Sequence, residues 1–172
     1  MERLKQHLFR LHPYLLAWIA GALTVAQIVL AFCIQSPKHQ AIEWAGYVCW
    51  WTSAFFGWWP IVALLRRGGV PKGKSYVHTT QLVETDIYAI VRHPQMGTAW
   101  LLMCLGLMLL TQHWSSVALG LPAMILVHLD LLRADQRCVE KFGDAYRQYM
   151  GRVPRTNFVL GIIRLIMRRA AA

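Results

Sequence analysis

Tyr88, Arg92, His93 and Pro94 sit where a polar stretch gives way to an apolar run. Pro94 suits the first turn of a helix, because its missing N–H has no intrahelical partner there anyway. The free N–H groups and the dipole of such a helix start favour an anionic group. Arg92 adds a fixed positive charge that can grip a carboxylate through two hydrogen bonds. These residues therefore describe an anion-binding corner at a membrane surface. Anchoring of the helix to lipid headgroups through Arg92 and His93 accounts for the same side chains by a plainer route.

A second polar cluster comprises His128, Asp130 and Asp135. Polar residues in or beside a span usually face protein or a water-filled cavity. His128 and Asp135 are two helical turns apart and share a face. Asp130, Arg133 and Arg137 share another, which permits local ion pairs, and Asp130 is expected to pair with Arg133. Asp135 stands where its helix emerges, close to the Arg92–His93 corner once the chain folds back.

The elements that must hold these clusters are membrane spans. The 172-residue chain is 56% hydrophobic yet carries a formal charge of +10. A soluble domain of this size could not bury so much apolar surface, whereas a membrane protein with basic flanks combines the two routinely. Nucleic-acid binding is disfavoured, because the basic residues stand at the ends of apolar runs and not along one soluble face. Cys33, Cys49, Cys104 and Cys138 form no CxxC pair, so they indicate neither a zinc site nor a disulfide framework.

Four spans are expected at about residues 14–34, 44–65, 94–112 and 114–132, within one integral membrane domain covering 1–172. The second is rich in tryptophan, a residue that anchors helices at membrane interfaces, and contains Pro60, which is expected to kink it. Only Gln112 and His113 separate the third and fourth, which makes them a tight antiparallel hairpin. Of the eighteen lysines and arginines, all but Lys38 fall on one side of this arrangement. The positive-inside bias then puts both termini in the cytoplasm of a multi-pass inner (plasma) membrane protein. The amino-terminal MERLKQHLFRLHP is basic and amphipathic and leads into a retained helix, not a cleaved signal. After the spans, residues 133–155 continue as a mixed-charge helix. TNFVLGIIRLIMRR is too short to span and reads as an interfacial amphipathic helix. The fold class is thus all-α, with four spans and cytoplasmic carboxy-terminal helices.

Tyr88-Ala-Ile-Val-Arg-His-Pro94, then Asp135, Phe142-Gly143, Tyr146, Tyr149 and Val153-Pro154-Arg155, occur in that order. This pattern resembles the isoprenylcysteine carboxyl methyltransferase and phospholipid methyltransferase superfamily of integral membrane enzymes, over roughly residues 80–165. The resemblance implies that S-adenosylmethionine binds on the cytoplasmic side. Its site would be bordered by Tyr88, Arg92, His93, Pro94, Asp135, Tyr146 and Arg155, with Arg92 and His93 as the candidate catalytic pair. The methyl acceptor is expected to be lipophilic or membrane-associated: a lipid, a small molecule or an isoprenylcysteine-like group. An amine acceptor also needs a base, for which His93, His128 and Asp135 are all available. The chain departs from the family pattern at Met96, where a tyrosine is usual, at Asp86 for a glycine, and at Ala134 for the first acid of a pair. Those departures suit a non-catalytic membrane subunit, and the hairpin also suits an intramembrane NADPH-dependent reductase. Binding of S-adenosylhomocysteine, of NADPH or of neither separates the three.

Overall fold

The computed structural model describes His12 and residues 14–170. The basic amino-terminal segment lies outside the described residues. Among the described residues the chain is all-helical, and four helices are long and apolar enough to cross a membrane, with 19, 28, 18 and 29 residues. At about 1.5 Å per residue even the shortest approaches the thickness of a hydrocarbon core. They are α1 (Leu15–Cys33), α2 (Gln40–Arg67), a third span that opens with a π-helical turn at Pro94–Ala99 and continues as α3 (Trp100–Thr111), and α4 (Trp114–Phe142). Two shorter helices follow, α5 (Asp144–Arg152) and α6 (Phe158–Ala170). The observed helices lie within a few residues of the expected spans, except that α4 runs on past Leu132 to Phe142.

The chain divides into two compact units, each assembled from two stretches: residues 1–50 with 101–135, and residues 51–100 with 136–172. In the first, polar side chains link the spans. Gln27 of α1 is fully buried and its amide donates to the Cys104 carbonyl (3.0 Å) and to the Ser116 carbonyl and hydroxyl (3.2 and 3.1 Å). Small residues let α2 and α3 approach closely: a Cβ on Gly106 would stand 3.2 Å from the Gly46 carbonyl oxygen and 3.3 Å from the Trp50 nitrogen. The α3–α4 turn is tied to the α1–α2 connection. The Gln112 side chain accepts from the His39 N–H (2.8 Å) and donates to its carbonyl (3.0 Å), while the Ser36 hydroxyl donates to the Thr111 carbonyl.

The expected Asp130–Arg133 pair does not form. None of the three Arg133 guanidinium nitrogens, nor the buried Asp130 Oδ1, has a hydrogen-bond partner among the described residues. An i,i+3 spacing allows a pair without compelling one. His128 and Asp135 do share one angular face of α4, yet they sit in opposite environments. His128 is exposed beside an apolar groove of Leu101, Leu121, Met124, Ile125 and Leu129, while Asp135 is 3% exposed.

In the second unit α2 runs on through Pro60 to Arg67. A loop then leads to a 3-10 turn at Asp86–Ala89, and the core is made by Tyr146, Tyr149 and Val153 packed with Leu82, Cys138, Val139, Phe142 and Met150. Gly143 separates α4 from α5. Its φ of +60° is a conformation that glycine adopts without penalty. A Cβ added there would meet no atom within 4 Å, so backbone conformation and not space demands glycine. On α6, Val159, Ile162, Ile163, Ile166 and Met167 are exposed, and Arg164, Arg168 and Arg169 punctuate them.

Candidate active site

The helix start expected at Pro94 forms with one change. His93 caps the helix and Pro94 takes its first position, but the turn is π and not α. The Thr98 N–H reaches back five residues to the His93 carbonyl (3.0 Å), which also accepts from Gly97 (3.1 Å). A single widened turn of this kind is frequent at functional sites.

Two chain segments are locked together around this turn. The Arg92 and His93 N–H groups donate to the carbonyls of Pro154 (3.0 Å) and Arg155 (3.1 Å), and the Thr98 hydroxyl donates to the Thr156 carbonyl (2.9 Å). The Tyr149 hydroxyl donates to the Tyr88 carbonyl at 2.6 Å. Tyr146 lies 3.4 Å by its hydroxyl from His93 Nε2 and packs edge-on against Tyr149 with ring centroids 5.7 Å apart. Further out, Arg152 pairs with Glu84 at 2.7 Å, and Arg168 of α6 donates to the Ala89 carbonyl at 3.2 Å. Of the residues expected at the site, Tyr88, Arg92, His93, Pro94, Tyr146 and Arg155 are thus gathered in one unit. Asp135 belongs to the other.

The surroundings are low in water. Arg92 is 9% exposed, Tyr146 3% and Tyr149 1%. Burial pushes the phenols of Tyr88 and Tyr149 well above the usual tyrosine range. Tyr76 and Cys138 reinforce the rise at Tyr88. At Tyr149 its neighbour Tyr88 does so, partly offset by the Arg92 charge. Both rings are therefore neutral hydrogen-bond donors near neutral pH. Tyr149, read only as a motif residue, and Thr98 contribute in a way that spacing did not show, because each acts on a backbone carbonyl distant in sequence.

A family model described as phospholipid methyltransferase matches residues 41–144, more than half of the chain. The chain belongs to that family. No curated protein and no solved structure matches it. The match covers the second, third and fourth spans and stops at α5, so it includes the Arg-His-Pro turn and Asp135 but not Tyr146 or Arg155.

One departure from the family pattern has a physical explanation. Asp86 stands where a glycine is usual and has φ +55°, a left-handed conformation that aspartate tolerates better than most residues. Its carboxylate lies 3.4 Å from Arg67, which also donates to the Thr85 hydroxyl at 2.7 Å. Met96, in place of the usual tyrosine, is 47% exposed, and Ala134 is half-buried.

Proposed function

We propose that this phospholipid methyltransferase family member transfers a methyl group from S-adenosylmethionine to a lipophilic acceptor at the cytoplasmic face of the membrane. The observation that carries this reading is the locking of the Arg92–His93 segment to Pro154–Arg155 beside buried Tyr146 and Tyr149. The donor set suits the cofactor. Buried Arg92 would hold its carboxylate, and Tyr88, Pro94, Tyr146 and Arg155 would border the rest. When bound, S-adenosylmethionine supplies a methyl group made electrophilic by its sulfonium.

The chain's own work is then binding, alignment and exclusion of water. Alignment at van der Waals distance supplies most of what a displacement reaction asks of an enzyme. Backbone pairing fixes where the Arg92 and His93 side chains begin, so little ordering is left for the moment of binding. A water-poor wall favours a reaction in which an anionic acceptor and a sulfonium lose their charges together. For an acceptor that must shed a proton, His93 is the base, with Nε2 in reach of the Tyr146 hydroxyl as a relay. The acceptor approaches from the bilayer, and its hydrocarbon part stays among the spans.

Membranes containing the protein, incubated with methyl-labelled S-adenosylmethionine and lipid extract, test this reading. A labelled lipophilic product is expected, and its absence with folded protein and a full range of extracts counts against it. Reporters active only outside the cytoplasm, fused at Lys38 and at Ala172, test the face. Activity at Lys38 alone is expected, and the reverse pattern places the site on the other side.

A further inference from the structure

Arg133 is 3% exposed, and its Nε and both terminal nitrogens lack any hydrogen-bond partner among the described residues. This is an expensive state. Arginine does not escape burial by losing its proton, and a buried charge stripped of water needs both a counter-charge and hydrogen bonds. The head group is enclosed, so it does not snorkel to the interface either. Asp130, three residues back, makes a contact of its own, and its buried Oδ1 has no hydrogen-bond partner among the described residues. Asp135, two residues on, lies about 200° around α4, at about 100° per residue.

The same unit treats its other buried donors differently. The Gln27 amide has three acceptors, and the hydroxyls of Thr24 and Thr111 donate to the carbonyls of Ala20 (2.8 Å) and Leu107 (2.7 Å). Arg133 alone among them is left with no acceptor while carrying a full charge.

We propose that Arg133 is the receptor for an oxyanion, a carboxylate or phosphate carried by a bound ligand, and that this buried site is complete only with the ligand in place. The planar fork of a guanidinium matches two oxygens of such a group, and only an anion both fills the donors and neutralises the charge. Two sources offer that chemistry. One is the α-carboxylate of the cofactor proposed above, which Arg133 would then hold in place of Arg92. The other is the phosphate of an anionic amphiphile. One turn before Arg133, Leu129 belongs to the apolar groove of Leu101, Leu121, Met124, Ile125 and His128, of about 360 Å³. A hydrocarbon tail in that groove carries its headgroup to the level of Arg133. Only the first source depends on methyl transfer being the activity.

The test uses the full chain in dodecyl maltoside micelles, which bring no anion of their own. Arg133→Met keeps length without charge, and Arg133→Lys keeps charge without the fork. Calorimetry compares S-adenosylhomocysteine with its decarboxylated analogue, and dioleoylphosphatidylglycerol with dioleoylglycerol. The parent is expected to prefer the anionic member of one pair by about 30-fold, the scale of hydrogen bonds to a charged group. Arg133→Met should bring that preference below about threefold, with Arg133→Lys between, while ligand-free Arg133→Met unfolds no lower than the parent. Preference in the first pair assigns the cofactor carboxylate. Preference in the second alone keeps the oxyanion site and removes the cofactor from it. The proposal is overturned if the parent shows no preference in either pair or if Arg133→Met leaves the preference intact. It is equally overturned if Arg133→Met fails to fold or melts lower without ligand, since the guanidinium then serves the fold. Binding of S-adenosylhomocysteine that ignores Arg133 overturns this site and leaves methyl transfer standing.

Discussion

Gly161→Ala isolates the contact on which α6 meets the Arg-His-Pro segment. A Cβ at Gly161 would collide with the Ile90 carbonyl oxygen, and would stand 2.8 Å from its carbonyl carbon and 3.1 Å from its Cγ2. Alanine is favoured over glycine inside a helix by about 1 kcal/mol, whereas overpacking costs about 1–3 kcal/mol. The obstructing atoms are backbone, which no rotamer change can move, so the upper part of that range applies and a net loss of about 1–2 kcal/mol is expected. Lifting α6 also pulls on the Arg168–Ala89 hydrogen bond and the Phe158–Phe56 ring contact, centroids 5.2 Å apart. Thermal unfolding in nanodiscs, followed by circular dichroism, should show a midpoint lowered by about 3–6 °C. Gly151→Ala is the control. Gly151 lies in α5 with nothing within 4 Å of a Cβ, so propensity acts alone and raises stability by about 0.5 kcal/mol. If both substitutions move the midpoint the same way by the same amount, the close approach of α6 to Ile90 is not real.

Tyr149→Phe leaves the Tyr88 carbonyl without the donor that now stands at 2.6 Å. A loss of about 1–3 kcal/mol is expected from the orphaned acceptor, and parent-like stability in the same unfolding assay would remove this bond from the account. Alkaline pH should act through the same pair. Both phenols are held above the ordinary value of 10.0 in the folded protein, so their contribution is complete below pH 10 and is lost as pH rises from there through the folded values. Unfolding midpoints between pH 9 and 12 should fall more steeply for the parent than for Tyr149→Phe, and equal slopes would contradict the assignment.

The spans were legible because long uncharged apolar runs leave few alternatives, and Pro94 marked the start of the third in a way that few residues can. What the pattern could not show is how the turn opens. Whether the Thr98 N–H reaches His93 at five residues or Pro94 at four depends on what holds Thr98, and its hydroxyl is held by the Thr156 carbonyl. Spacing likewise put His128 and Asp135 on one face of α4 correctly, yet it carries no information on what packs against each turn. One faces a groove and the other is enclosed. The Asp130–Arg133 pair failed for a related reason, since helical spacing offers candidates and burial chooses among them. Tyr149 was visible as a motif residue, but its partner is a backbone carbonyl 61 positions away. Asp86 is a further case. Nothing in its neighbours' pattern marks a left-handed backbone, yet Asp86 adopts one at φ +55°.

The most direct test of the central claim is calorimetric titration of S-adenosylhomocysteine into the nanodisc-embedded parent and its Arg92→Ala variant. Removing one partner of a buried charged contact typically costs about 2–5 kcal/mol. The parent should bind saturably and Arg92→Ala should bind roughly 30-fold or more weakly, at about 1.4 kcal/mol per decade. A folded parent that shows no heat of binding at millimolar ligand, or an Arg92→Ala variant that binds as the parent does, would contradict a cofactor site at this corner.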